Sequence, residues 1–346
     1  MANRKRAGKK KDPSLFRILV VIVVLVFAIY YGISWFSASP GDTPTVAGAS
    51  VQEQFDAARV LLDGGDADGA GVILNESSDA LMASHLAPQV LLMQADIAEA
   101  QGDEAAARAH LKALTESYPQ APEQPEAAAR YATLLQSSGS GDEAVEIFED
   151  LRKNAPAAMR AAAYVGLGKA AEDAGDLMEA RKQYRLAIRD AVPGSQDWHA
   201  ALDAIGTVNV SLIFSTTETP ECKYYSIEQG DNLTSIGVKL NTTLGLLLRA
   251  NGITDPGRIR VGQRLKYTPK DFRIVIERGT CQIFLMDNEG VFKRYYTGLG
   301  MPGYETTLGK YTIGNKQKDP AWYPSSGGMI PAGDPTNELG TRWMPM

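Results

Sequence analysis

Residues 224–267 read YYSIEQGDNLTSIGVKLNTTLGLLLRANGITDPGRIRVGQRLKY. Tyr224 to Ile227 suits a short strand, and Gly230-Asp231-Asn232 turns the chain, with Asp231 or Asn232 placed to cap a helix. Leu233, Ile236, Gly237 and Leu240 then fall at i, i+3, i+4 and i+7, one apolar helical face. Thr242 or Thr243 is placed to cap a second helix that turns Leu244, Leu247 and Leu248 inward, and Asn251-Gly252 stops it. Val261 to Tyr267 returns as a strand with Leu265 and Tyr267 on one face. The stretch is a complete βααβ unit, and the chain is organised on either side of it.

Downstream, Arg273 to Glu277 alternates, Arg278-Gly279 turns, Thr280 to Met286 returns, and Val291 to Gly298 forms a third strand. Gly300 to Gly309 is a loop rich in Gly and Thr, followed by a further strand at Lys310 to Gly314. Hairpins with these turn signals predict an all-β segment. Cys281 falls on the alternating face of Ile283 and Leu285, which makes it a small buried hydrophobe; pairing with Cys222 is the alternative. No Cys-x-x-Cys or Cys/His cluster exists, so no metal site is expected, and no cofactor is expected.

Upstream, residues 51–204 are rich in Ala, Leu and Glu, and Gly-Asp recurs as Gly65-Asp66, Gly102-Asp103, Gly141-Asp142 and Gly175-Asp176, at steps of 37, 39 and 34 residues. Gly closes one helix in the left-handed conformation and Asp caps the next. His85, His110 and His199 are scattered here without ligand spacing and read as solvated or packed helix residues. Residues 205–222 are read as a linker whose β-branched first half suits a strand or a last helix packing on the array.

At the N-terminus, residues 1–17 carry seven basic side chains against Asp12, a charge of +6, while the rest of the 346-residue chain carries −12. A basic run can bind nucleic acid, but here residues 18–36 follow at once, nineteen residues without a charge. As a helix they span roughly 28 Å, close to a bilayer's hydrocarbon core. Tyr30, Tyr31 and Trp35 mark the far interface, so the basic tail is expected in the cytoplasm and residues 37–346 outside. A cleaved signal peptide is the rival reading. Residues 37–50 read as a flexible linker. The predicted architecture is therefore multidomain: basic tail, single transmembrane helix, helical repeat array, βααβ module at 223–268, and a partial all-β domain at 272–346. Nucleic acid is not an expected partner.

Three resemblances extend this reading. AEAQGDEAAARAHLKALTESYP and AEDAGDLMEARKQYRLAIRDAVP resemble tetratricopeptide repeats, which implies helical hairpins that either space the distal modules from the membrane or bind a protein partner. Tyr-x-Ile-x-x-Gly-Asp-x-Leu-x-x-Ile (Tyr225 to Ile236), Leu-x-x-x-Asn-Gly (Leu247 to Gly252) and Ile-x-Val-Gly-Gln-x-Leu (Ile259 to Leu265) resemble the LysM module. That resemblance implies binding of N-acetylglucosamine chains of peptidoglycan or chitin between the two strand–helix loops. Carried over by position, the contacts fall on Gly230, Asp231, Asn232, Leu233, Asn251, Ile253, Thr254 and Ile259. Gly230 as a mere turn, and Leu233 and Ile259 as mere core, are the competing readings.

Residues 272–346 resemble the first part of an L,D-transpeptidase catalytic domain of the YkuD type. The matching pieces are the opening hairpin, Thr306 to Gly309 leading into Tyr311-Thr312-Ile313, Pro320-x-Trp322 and Gly340-Thr341-Arg342, with Thr307 where the family commonly has Pro. The family transfers peptidoglycan stem peptides through a cysteine thiolate activated by histidine. Its His-Gly-Thr and Ser-x-Gly-Cys-x-Arg segments do not occur here and no His follows His199, so no catalytic residue is assigned. The resemblance implies a sheet continuing beyond Met346; a stand-alone degenerate domain is the alternative. Together the resemblances imply a bacterial inner-membrane protein that faces the wall and binds peptidoglycan, either as an L,D-transpeptidase or as a non-catalytic scaffold whose repeats recruit a partner.

Overall fold

The computed structural model describes residues 49–269, 271–300, 303 and 305–345. The basic tail and the apolar stretch at 18–36 lie outside the described residues; among those described, no helix is long and apolar enough to cross a membrane. The chain divides into two compact units, one ending at Gly166 and one beginning at Leu167.

The first unit is built from antiparallel helices: α1 (Val51–Asp63), α2 (Ala67–Glu76), the single-turn α3 (Ser78–Met82), α4 (Ala87–Ala100), α5 (Glu104–Ser117), α6 (Gln124–Ser137), α7 (Gly141–Asn154) and the start of α8 (Ala157–Asp173). Phe55, Ile73, Leu74, Leu81, Val90 and Ile97 close its first core cluster. Asp66 and Asp103 cap α2 and α5 by accepting the N–H of Gly69 and Ala106, each at 2.9 Å. The third junction departs from the sequence pattern. Gly139, not Gly141, adopts the left-handed conformation (φ 90°), Ser140 stands at the cap, and Gly141 opens α7. The left-handed glycines are thus Gly65, Gly102, Gly139 and, in the second unit, Gly175, at steps of 37, 37 and 36 residues, so the repeat is more regular than the Gly-Asp pairs suggest.

The second unit opens with the rest of α8, then α9 (Leu177–Asp190) and α10 (Gln196–Ile213). Residues 205–213 are therefore helix, the second of the two alternatives for the first half of 205–222, and not a strand. Ile205, Val208 and Leu212 keep a helical period and bury against Ala180 and Tyr184 of α9, and that burial overrides the strand preference of their β-branched side chains.

The βααβ module follows as β1 (Lys223–Ser226), α11 (Leu233–Lys239), α12 (Leu244–Ala250) and β2 (Arg264–Tyr267). Antiparallel pairing runs from Lys223↔Tyr267 to Ser226↔Arg264. Asn232 caps α11 and Thr243 caps α12. Ile227, Leu233, Ile236, Leu247 and Leu265 form the core. Two details differ from expectation. The return strand begins at Arg264, because Val261 is exposed and Gly262 (φ 81°) turns the chain. Leu244 stays exposed at the first position of α12, although it shares a helical side with Leu247.

Beyond it, β3 (Arg273–Glu277), β4 (Gln282–Met286) and β5 (Val291–Tyr296) form an antiparallel meander with a bulge at Leu285/Met286. Helix α10 packs along β5 and covers that edge: Asn209 donates to the Phe292 carbonyl at 2.9 Å. Gly206 makes room for the stem of Lys293, whose Cγ would lie 3.0 Å from a Cβ there. Cys281 is not the buried strand residue expected. It ends the turn at 278–281 with φ 53°, is exposed, and is a free thiol, as is Cys222. No strand forms at 310–314; β6 (Gln317–Lys318) pairs instead with β7 (Arg342–Trp343).

The repeats depend on glycine notches. A Cβ at Gly166 would meet the Phe148 ring at 2.2 Å. Gly166→Ala is expected to lower stability by about 1–3 kcal/mol through overpacking, read as a drop in thermal midpoint. Gly141→Ala, with nothing within 4 Å, is expected to cause no drop.

Candidate functional site

The two strand–helix loops of the βααβ module rest on one apolar cluster. Leu233 lies within it, and Ile253 and Ile259 pack on it from the second loop. The first loop turns at Gly230 (φ 89°), a conformation that only glycine adopts without strain. Asp231 accepts from the Tyr225 hydroxyl at 2.7 Å and from the Glu228 N–H at 2.8 Å. The Glu228 amide, and after it the Tyr225 hydroxyl, hold the Asp231 carboxyl below its ordinary range. Lys239 closes the network by donating to Tyr225 at 2.7 Å and Glu228 at 3.0 Å; these two partners push its ammonium upward. Asn232 and Ser235 form a capping box, so the loop is rigid before any ligand arrives.

The second loop is tied at Asn251. Its side-chain amide donates to the carbonyls of Leu247 and Lys266, both at 2.8 Å, and its oxygen accepts the Lys266 N–H at 2.7 Å. Asn251 thus joins α12 to β2. Of the eight residues singled out from sequence, Asp231, Leu233, Asn251, Ile253 and Ile259 are held by the module itself. Gly230, Asn232 and Thr254 are exposed. The backbone N–H groups of Gly230 and Thr254 have no hydrogen-bond partner among the described residues, so they are available as donors to a carbonyl oxygen. Exposed backbone donors beside an apolar floor suit a neutral, amide-bearing ligand.

Sequence reasoning missed how this module is seated. Lys266 is buried, and its ammonium donates to the carbonyls of Leu212, Ser215 and Thr217 at 2.9, 2.8 and 2.5 Å, at the C-terminal end of α10. Burial pulls this ammonium below the usual lysine range, opposed by Cys222 and Glu221. A lysine alternating with Leu265 and Tyr267 in a short strand reads as a solvated face, and only the packing of α10 reveals otherwise.

A separate cavity of about 320 Å³ is lined by Arg181, Glu221, Phe272 and Glu289, among others. The buried Arg181 pairs with Glu221 at 2.8 Å and Glu289 at 2.9 Å, and Arg185 pairs with Asp287 at 3.2 Å and also with Glu289. On β5, buried Arg294 donates to Asp203 at 2.7 Å and bonds His199. Neither Cys222 nor Cys281 is hydrogen-bonded to a histidine, so the described residues hold no assembled thiolate–imidazole pair.

Residues 225–268 match the family model for the LysM domain, residues 271–346 that for the L,D-transpeptidase catalytic domain, and residues 16–206 that for a tetratricopeptide repeat-like domain. The endolysin of Bacillus phage PZA is 47% identical over 62 residues, 17% of this chain and 23% of the endolysin, so the chain spans less than a quarter of that relative. Among solved structures, MamA (41-end) from Desulfovibrio magneticus RS-1 is 20% identical with a TM-score of 0.39, covering 47% of this chain and 86% of that one. A chain from Podosopora anserina, described as a kinesin light chain with nearly identical TPR-like repeats, is 18% identical with a TM-score of 0.35, covering 46% and 86%.

The Arg181 cluster generates a pH prediction. Burial pushes the Glu221 carboxyl up, but its hydrogen bonds from Arg181 outweigh this and hold it below the ordinary value. A depressed folded pKa contributes stability above the unfolded value of about 4.3, and that contribution is lost as pH falls through the folded value. Thermal midpoints measured from neutral pH downward are expected to fall more steeply below pH ~4 for the wild type than for Glu221→Gln.

Proposed function

The chain belongs to the tetratricopeptide repeat-like domain family, and from that premise we propose that it is a membrane-tethered, wall-facing protein that binds the N-acetylglucosamine strands of peptidoglycan through residues 223–268. The observation that carries this reading is the pair of hydrogen-bonded loops on one apolar cluster, with the N–H groups of Gly230 and Thr254 unpartnered among the described residues and Ile253 and Ile259 packed half-buried on that cluster. The N-acetyl group offers a carbonyl to such donors and a methyl to such a floor. Thr254 supplies an exposed side chain at the rim, while Asp231, Asn232, Leu233 and Asn251 hold the loops in shape. One module offers few polar contacts and binds weakly; tethering raises its effective concentration at the wall. The uncharged run at 18–36 behind a basic tail supports the tether and an extracytoplasmic bulk.

The match of residues 271–346 supports membership of the L,D-transpeptidases, enzymes that cross-link peptidoglycan stems or attach proteins to them. A second reading is a non-catalytic scaffold whose repeats recruit a partner, with which the repeat-like match of residues 16–206 is compatible.

Two measurements test these readings. The full chain in detergent is expected to co-sediment with purified sacculi and to be released by N-acetylglucosamine oligomers. Thr254→Arg, which blocks the rim without touching the core, is expected to weaken binding about tenfold; failure of the wild type to co-sediment overturns the glycan reading. Incubated with tetrapeptide-bearing muropeptides, the same preparation is expected to yield no cross-linked product, whereas cross-links would overturn the scaffold reading.

A further inference from the structure

Lys266 occupies two roles at once. Its backbone N–H and carbonyl are both held by Asn251, at the start of the second loop. Its side chain, 2% exposed, satisfies its three ammonium donors with three carbonyls that follow one another off the end of α10. These carbonyls lie at the negative end of the helix, where a cation is favoured and where the last C=O groups lack partners within the helix. The same helix holds the β3–β5 sheet through Asn209, bonded to the Phe292 carbonyl, and through Asp203 and His199, bonded to Arg294. One helix therefore carries the glycan-facing loops at its C-terminus and the sheet along its side.

We propose that Lys266 is a positioning residue for glycan presentation: through Asn251 on one side and the α10 carbonyls on the other, it fixes the loop at 251–259 in a set orientation to the β3–β5 sheet. The inference rests on the glycan-binding reading of those loops. A strand caught by them is held at a defined place relative to the sheet instead of swinging on the segment at 214–222. Lys266 itself touches no sugar. A module joined only by a flexible linker would need no ammonium buried at the end of a neighbouring helix, since burying a charge is costly unless it is fully hydrogen-bonded.

The test is a distance measurement on the full chain in detergent. Nitroxide labels are placed at Thr254→Cys and Glu277→Cys, both exposed, with Cys222→Ser and Cys281→Ser. The parent is expected to give a single narrow distance distribution, and Lys266→Met to broaden it at least about twofold. Lys266→Gln, one atom shorter and uncharged but still a hydrogen-bond donor, serves as the second variant and is expected to broaden it less. Leu247→Ala, a cavity in the module core, is expected to lower the thermal midpoint and leave the distribution narrow, which separates positioning from general destabilisation. An unchanged distribution in both Lys266 variants overturns the proposal. Co-sedimentation with sacculi is measured on the unlabelled wild-type chain, because Thr254 stands at the rim: its failure there overturns the glycan reading alone, while the distance result still decides the role of Lys266.

Discussion

A positive charge buried in a protein is stabilising only where its donors are met, and the seating of the βααβ module on α10 turns on one such charge. The Lys266 ammonium enters the end of α10, and each of its hydrogens meets a carbonyl oxygen. Removing it would take a charge-assisted donor from all three carbonyls, although the Leu212 carbonyl also accepts from the Ser215 N–H and hydroxyl. The bonds along the flank of α10 act in the same direction. The Asn209 amide occupies a β5 carbonyl that would otherwise be an open sheet edge, and Arg294 is buried between Asp203 and His199. Arg181 of α9 adds the carboxylates of Glu221, ahead of the module, and Glu289, in the β4–β5 turn. The last helical hairpin is thus a platform, and its surface is polar where other repeats bury alanine and leucine.

Much of this architecture was legible in the chain. The βααβ unit announces itself through the period of Leu233, Ile236 and Gly237 and the caps at Asn232 and Thr243, because local chemistry alone decides those features. The helical repeats were legible for the same reason, but their register was not. Gly141-Asp142 looks like Gly65-Asp66, yet the chain turns at Gly139, two residues earlier. Either glycine could supply a left-handed residue, and the packing of Phe148 and Leu151 on the interior decides which one does. Alternation misled at Cys281 because a four-residue turn, not a two-residue one, separates β3 from β4 and carries the thiol out of the strand.

The candidate site divides along the same line. Its candidate residues are the ones the resemblance carries over by position, since the motif spans contiguous loops. Their division between frame and rim could not, because it depends on partners remote in the chain. Asn251 resembles a loop asparagine until its bonds to Lys266, fifteen residues on, are seen. Asp231 resembles a ligand until the Tyr225 hydroxyl and the Glu228 amide are found to occupy it. The groups left open include the backbone N–H of Gly230 and Thr254, which no residue type reveals.

The docking of Lys266 also limits how interchangeable this module is. Small βααβ units of this kind look like cassettes, self-contained and free to be exchanged. Here the contract is written partly outside the cassette, in three carbonyls that belong to the preceding helix and its exit. A foreign module grafted between residues 222 and 269 would keep its own fold and still lack the ammonium that gathers those carbonyls, unless it brought a lysine to the third position of its last strand.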